Sequence, residues 1–181
     1  MTMKRFKGTI VALVPVYTAT TVYSPQKHRN TPPQRNYTRF ILSNGTSEVL
    51  RISLHTALCN YVGLWGYSVP LLKRISSASS SSNIVPLLLS PNYVLAPFRV
   101  RKKVHKTHDG IYAYIDSHYL VESPLEQNGQ LILSIGEHEI ALNCSVRHYR
   151  HMRKQASLLR SFHASTCTRC SLAKGSAGSF D

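Results

Sequence analysis

Residues 37–65 carry the sequence YTRFILSNGTSEVLRISLHTALCNYVGLW, which predicts a β-hairpin followed directly by a helix. Tyr37–Ser43 and Ser47–Ile52 are rich in strand-forming residues, and Asn44-Gly45 between them supplies the positive φ angles of a tight turn. Ser53 is a suitable N-cap, and the apolar residues after it recur at a spacing of about 3.6 residues. They are Leu54, Leu58, Tyr61, Val62 and Trp65. We therefore expect this helix face to pack in the core.

The same pattern recurs near the end of the chain. Ile41-Leu42-Ser43-x-Gly45-x-x-Glu48 reappears as Ile132-Leu133-Ser134-x-Gly136-x-x-Glu139, at an offset of 91 residues. Each copy is followed by a strand, a serine cap (Ser53 or Ser145) and an amphipathic helix, which favours a duplicated unit over coincidence among common residues. The sequence therefore predicts an α+β fold, in which two similar β-hairpin–helix units and additional strands share one core.

The length of 181 residues suits one domain. We predict an ordered α+β domain over residues 1–163, with pseudo-repeats 1–75 and 84–163 joined by a serine-rich loop, residues 76–83. From Ala164 onward Ser, Gly, Ala and Thr predominate, so the sequence predicts a disordered tail, residues 164–181. The remaining predicted elements are strands over 4–14, 16–24, 84–89, 93–98 and 111–115, a hairpin of 130–134 with 138–143, and a helix over 146–162.

The charge of the chain is strongly unbalanced. It contains 22 Lys and Arg against 8 Asp and Glu, a formal net charge of +14. Carboxylates are absent from three long stretches, Met1–Ser47, Val49–His108 and Ile140–Phe180. Such a chain attracts polyanions, which makes nucleic acid the expected partner.

Two basic clusters are the candidate DNA-contact residues. One lies on a loop between strands, where the side chains can reach phosphates: Arg99, Arg101, Lys102, Lys103 and Lys106. The other is expected to form one side of the last helix, opposite Tyr149, Met152, Ala156, Leu159 and Phe162: Arg147, Arg150, Arg153, Lys154 and Arg160. No carboxylate lies between these cations, so ion pairs within the helix do not account for them.

Other function classes fit the sequence less well. No P-loop, HExxH or GxSxG pattern occurs, and His163-x3-Cys167-x2-Cys170 offers at most three metal ligands, so we expect neither an enzyme nor a cofactor. The first residues imitate a secretory signal, but the apolar stretch is short and β-branched, and four scattered cysteines suit the cytoplasm. An RNA-binding or ribosome-associated protein is the main alternative. A metal-dependent nuclease and a peripheral membrane protein remain further alternatives.

The order of segments over Phe6–Arg160 resembles the ComK family of competence transcription factors. Four places carry the resemblance: Thr9-Ile10-Val11-Ala12-Leu13 with Pro15; Cys59 and Tyr61 with Gly63; Pro86–Pro91 followed by Tyr93-Val94-Leu95-Ala96-Pro97; and Ser134-Ile135-Gly136 with Ser145, Gln155 and Leu159. The chain departs from the family where a Gly-Arg pair is usual, because Val69-Pro70 stands there and the nearest cations are Lys73 and Arg74.

The resemblance implies an activator of DNA-uptake genes that binds AT-rich duplex DNA, largely through the minor groove. It also implies a homo-oligomer and control by a proteolytic adaptor. The residues by themselves predict a basic, cytoplasmic, DNA-binding α+β protein without a membrane partner.

Overall fold

The computed structural model describes residues 9–17, 36–77, 84–102 and 110–174, excluding the side chains of Tyr17, Asn36 and residues 162–174. Nine strands and three α-helices lie in these ranges. In chain order they are β1 (Ile10–Tyr17), β2 (Asn36–Leu42), β3 (Ser47–Leu50), α1 (Leu54–Leu64), α2 (Val69–Ser77), β4 (Leu87–Ser90), β5 (Tyr93–Arg99), β6 (Tyr112–Asp116), β7 (Leu125–Gln127), β8 (Gln130–Ile135), β9 (His138–Leu142) and α3 (Val146–Lys174). A short 3₁₀ helix, Ser117–Tyr119, follows β6.

The strands form two antiparallel sheets. The central sheet has six strands in the order β3-β2-β1-β6-β5-β4, and the smaller sheet has the order β7-β8-β9. Sheets and helices together give the mixed α+β architecture that the sequence predicted.

The central sheet is buried on both faces. In β5, Tyr93 and Leu95 point to the face covered by α1 and α2. Val94 and Ala96 point to the opposite face, where β8, β9 and α3 supply the partners. Alternate side chains of one strand thus enter two different cores, and for this reason β5 is an almost uninterrupted apolar run.

Pro15 does not end the first strand, and the predicted separation into two strands on either side of it is wrong. β1 continues to Tyr17, with Pro15 opposite Thr38 of β2. On its other side β1 pairs with β6 only at Ala12 and Leu13, so Pro15 lies beyond the pairing with β6. A proline is tolerated there because no ladder bond to β6 requires its missing N–H.

The first predicted hairpin and the start of its helix are confirmed. Gly45 has a φ of +81° and its N–H donates to Leu42, while the N–H of Leu42 donates to Thr46. This pattern is a three-residue loop with glycine in the left-handed position, wider than a two-residue turn. Ser53 caps α1 by accepting a hydrogen bond from the N–H of Thr56 at 3.1 Å.

Trp65 differs from the prediction. The other four residues of the predicted apolar face are buried in α1, whereas Trp65 lies at the C-cap, 40% exposed, and stacks on Tyr93. The chain turns after Leu64, where Gly66 has a φ of +77°, and this turn removes Trp65 from the helical face.

Three elements were not predicted from the sequence: α2, β7 and the short 3₁₀ helix. Pro70 lies in the first turn of α2, where its absent N–H costs no helical hydrogen bond. α2 continues to Ser77, and the rest of the predicted serine-rich loop lies outside the described residues.

The last helix is longer than predicted. α3 continues past Phe162 to Lys174, so the expectation of a disordered tail from Ala164 is wrong for the backbone of residues 164–174. Neither glycine nor proline occurs between Val146 and Lys174, and the first helix-breaking residue is Gly175. Residues 175–181 lie outside the described part of the chain.

A hairpin followed by a helix occurs twice, as β2-β3-α1 and β8-β9-α3. The two units occupy different environments, because β2 and β3 belong to the central sheet and β8 and β9 to the smaller one. Their helices cover opposite faces of the central sheet. Descent of both units from a duplication stays a prediction.

Candidate nucleic-acid interface

The predicted basic loop begins where β5 ends. Arg99 is exposed, and its guanidinium folds over the following residues: Nε donates to the carbonyl of Arg101 at 3.0 Å and an Nη to that of Lys102 at 2.7 Å. Arg101 donates to the carbonyl of Gly110 at 3.2 Å, which ties the start of the loop to its return. Lys102 is exposed. The predicted contact residues Lys103 and Lys106 lie outside the described residues.

The return of this loop is closely packed. A Cβ on Gly110 would lie 2.9 Å from Cβ of Leu54 and 3.2 Å from Cβ of Pro15, so only glycine fits without displacing α1 or β1. The loop is therefore fixed at both ends, by arginine–carbonyl bonds at one and by this close approach at the other.

α3 is anchored to the central sheet by its buried face. Tyr149 is fully buried, with its ring 5.2 Å from that of Phe98 on β5, and its hydroxyl donates to the carbonyl of Val121 at 2.8 Å. Burial raises the pKa of Tyr149 to about 12. Met152 and Ala156 are buried on the same face. These residues set the rotation of the helix and so determine which side chains face solvent.

The predicted basic stripe of α3 divides into two groups. Arg147, Arg150 and Lys154 are exposed, on the side of the helix opposite Tyr149. Arg153 and Arg160 are half-buried and lie closer to the packed face, so the expectation that all five cations share one side is wrong for these two.

Each of the two half-buried arginines has a carboxylate near it. Arg153 lies 3.9 Å from Glu122, and the positive charge of Arg160 acts to lower the pKa of Asp116. Leu159, expected opposite the stripe, is half-buried, while Leu158 is exposed beside it.

The two basic clusters adjoin at one end of the molecule. The backbone N–H of Asn143, in the connection between β9 and α3, donates to the carbonyl of Arg99 at 2.6 Å. Ser145 then caps α3 by accepting from the N–H of His148 at 3.2 Å, and the helix starts beside the basic loop. We call this the basic end, comprising Arg99, Arg101, Lys102 and the exposed cations of α3 that follow it.

Four of the six described carboxylates lie at the opposite end. Glu48 is the second residue of β3 and Asp116 is the last residue of β6, and in this antiparallel sheet both lie at the end away from Arg99. Glu137 and Glu139 lie at the β8–β9 turn, which meets the β2–β3 turn because Nε2 of His138 lies 3.1 Å from the carbonyl of Gly45. The charge of the described residues is therefore graded along the strands, from acidic to basic.

One further cation lies at the basic end and was missed. Arg51 is exposed and directly follows β3, at the edge of the same end of the sheet. It is four strand positions from β5, roughly 19 Å at the usual spacing between strands. The predicted hairpin could have located Arg51, because the second strand of a hairpin ends at the edge of the sheet farthest from the turn.

The described residues contain neither a metal-binding cluster nor a helix that could span a membrane. No group of three or more His, Cys, Asp or Glu in the described part of the chain is arranged to hold a metal ion, and the side chains of His163, Cys167 and Cys170 lie outside it. Among the described helices, none has the length and apolar character needed to cross a membrane.

Comparison with known proteins gives no relative: no family model matches the chain, and neither a curated protein nor a solved structure matches it significantly.

Proposed function

We propose that this protein binds double-stranded DNA through its basic end and the outer face of α3. The observation that carries the proposal is the hydrogen bond from Asn143 to Arg99, which joins two cation-rich segments far apart in the sequence. Most of the described carboxylates lie at the other end, so a polyphosphate at the basic end meets little opposing charge.

The chemistry of these groups suits a phosphate backbone. Arg147 lies in the first turn of α3, where the partial positive charge of the helix N-terminus adds to its own, and Arg150 and Lys154 follow on the next two turns. Each phosphate that they neutralise releases condensed counterions, which gives a log–log salt slope of about −0.9 per contact on duplex DNA. Strongly salt-dependent binding is therefore expected.

The resemblance to the ComK family supports a finer form of the proposal. In that form the chain is a transcriptional activator of competence genes, acts in the cytoplasm and prefers AT-rich duplex DNA. Arginine favours the narrow minor groove of such DNA because the negative potential is enhanced there. This finer form rests on the ComK-like motifs within Phe6–Arg160. Binding to duplex DNA rests on the arrangement of cations at the basic end and on the outer face of α3.

Competition between nucleic acids tests both forms. Labelled AT-rich duplex is bound to the full chain and displaced by unlabelled AT-rich duplex, GC-rich duplex or folded RNA, at low and at near-physiological salt. Preference for the AT-rich duplex at both salts is the expected result. Equal affinity for all three would leave only electrostatic binding, and preference for folded RNA would replace the proposal with an RNA-binding function.

A further inference from the structure

Exposed apolar side chains are concentrated in one segment of the chain, which runs from the end of α1 through α2. Of the nine large hydrophobic residues that are exposed in the described part of the chain, five lie within residues 64–75. They form what we call the α1–α2 patch: Leu64, Trp65, Tyr67, Leu71 and Ile75. Single exposed hydrophobic residues are common, but a cluster of this kind marks an interaction surface.

The patch is held in a fixed shape. Leu71 and Ile75 are one turn apart on α2 and face away from its buried residues, Val69 and Leu72. Trp65 stacks on Tyr93 with ring centres 5.3 Å apart. The hydroxyl of Tyr93 in turn accepts from Tyr61 at 2.9 Å and donates to the carbonyl of Ile10. A surface that is ordered before binding loses little conformational entropy on contact.

Charge indicates what covers the patch. Arg74 is exposed beside Leu71 on the outer side of α2, Lys73 is exposed on another side of the same helix, and no carboxylate occurs from Val49 to His108. A matching surface must present apolar side chains together with carboxylates.

The same chain carries such a surface. Residues 121–126, with the sequence VESPLE, expose Val121 (46%) and Leu125 (60%) beside Glu122 and Glu126. Glu122 is 87% exposed and lies 3.9 Å from Arg153, a separation and exposure at which an ion pair is weak. We call this stretch the acidic segment. It pairs two exposed apolar residues with two of the six described carboxylates.

The two surfaces cannot meet within one molecule. The carbonyl of Val121 accepts from Tyr149 of α3, which covers one face of the central sheet. The α1–α2 patch lies on the opposite face. We propose that the α1–α2 patch of one copy binds the acidic segment of a second copy, so that the chain associates head to tail.

Two features set the strength of this contact. Five side chains against a short segment make a small interface of the weak class, below about 1,200 Å². The net charge of +14 makes free copies repel one another. Salt screens this repulsion and also the attraction between the few charges at the contact, but the repulsion involves the whole net charge and is the larger effect, while apolar burial is left intact. Association is therefore weak at low salt and increases at moderate salt. Because the two surfaces differ, every added copy leaves one free patch and one free acidic segment. The assembly therefore has no fixed size unless the rotation between neighbouring copies closes it into a ring.

Mixing two variants tests the proposal without DNA, so that its failure is separate from failure of the proposed function. One variant, Leu71→Ser/Ile75→Ser, loses the patch and keeps the acidic segment. The other, Val121→Ser/Leu125→Ser, loses the segment and keeps the patch. Sedimentation velocity at about 0.15 M salt, where charges are screened beyond about 8 Å, measures their association. Trp65 is the single tryptophan of the chain, so its emission reports on the patch directly.

We expect the wild-type chain to associate with increasing concentration. Each variant alone should associate at least about tenfold more weakly, since each loses two aliphatic contacts. An equimolar mixture should form a dimer of one copy of each and nothing larger, with a shift in Trp65 emission. The mixture also serves as the folding control, because each variant must present one intact surface.

Three outcomes would overturn the proposal. They are a wild-type chain that stays monomeric up to about 1 mM, a mixture that associates no better than its components, and association of Val121→Ser/Leu125→Ser alone. The last outcome would indicate a symmetric contact between two patches.

Discussion

The backbone N–H of Asn143 donates to the carbonyl of Arg99 at 2.6 Å and thereby joins the connection before α3 to the strand end that carries the basic loop. Asn143 is separated from Arg99 along the chain by β6 and by all three strands of the smaller sheet, so no local preference brings them together. This contact places the start of α3, with its cations, beside Arg99 and Lys102.

Removing the N–H of residue 143 should therefore weaken DNA binding. Asn143→Pro deletes the donor, and Asn143→Ala keeps it while removing the same side chain. We expect Asn143→Pro to lower the free energy of unfolding by about 1 kcal/mol more than Asn143→Ala, the usual contribution of one hydrogen bond. Its DNA affinity should also fall below that of the alanine variant, as measured by fluorescence anisotropy. Equal affinities would mean that the two basic segments act independently.

The exposed cations of α3 should determine the salt dependence of binding. Arg150→Ala/Lys154→Ala removes two charges from the outer face of the helix. Each lost phosphate contact should reduce the log–log salt slope by about 1 and weaken all duplex sequences alike. Anisotropy titrations over a series of salt concentrations measure this slope.

The matched control is Lys73→Ala/Arg74→Ala, which removes two exposed cations from α2 on the other face of the central sheet. It lowers the net charge by the same amount, so a slope change equal to that of the α3 variant would point to non-specific attraction by the whole chain. If the control variant keeps a salt slope close to that of the wild-type chain, the result supports binding through a defined surface on α3.

The shape of the basic loop, and not only its charge, should matter. Arg99 uses its guanidinium to donate to two carbonyls of the loop, which the single ammonium of lysine reproduces poorly. Arg99→Lys keeps the charge, yet we expect roughly fivefold lower DNA affinity, equivalent to about 1 kcal/mol of lost hydrogen bonding in the loop. Lys102→Arg, at an exposed position with its charge retained, is the control. If both variants bind as the wild-type chain does, charge alone is sufficient.

The sequence was informative wherever local chemistry decides the structure. Asn44-Gly45 and Ser53 predicted the first hairpin and the start of α1 because turn and cap preferences depend on neighbouring residues. The sequence of β5 shows no alternation of apolar and polar residues, because both faces of that strand are buried. Pro15 was predicted to be a break between two strands, although a strand that lacks a partner on one side accepts proline. The helix that carries Pro70 in its first turn was not predicted at all.

The candidate site was only partly predictable for the same reason. Arg99 and Arg147 stood out as members of cation-rich runs, but their proximity depends on a contact between layers that no spacing indicates. Helical periodicity could have separated Arg153 and Arg160 from Arg147, Arg150 and Lys154, since it places them nearer to the packed face. The carboxylates beside them could not be foreseen, because they follow from how β6 and the segment after it pack on α3.

Asp116 should make stability depend on pH in the acidic range. Burial raises the pKa of its carboxyl above the ordinary value of 3.8, against the lowering effect of hydrogen bonds and charge from His118 and of Arg160. As pH rises through 3.8, the carboxyl ionises in the unfolded chain before it does so in the folded one. The unfolded state then binds fewer protons, and the free energy of unfolding decreases until the pH passes the raised folded pKa.

Asp116→Asn should remove this decrease. Asn keeps an oxygen that can accept from the N–H of His118, as Oδ1 of Asp116 does at 3.1 Å, so the cap of the short 3₁₀ helix is retained. The free energy of unfolding of the variant relative to wild type should therefore rise as the pH increases above 3.8 and level off once the pH passes the raised folded pKa of Asp116, as measured by urea denaturation. Glu126→Gln, an exposed carboxylate on β7, is the charge-matched control. A difference that stays constant with pH would show that Asp116 is as well solvated in the folded chain as in the unfolded one.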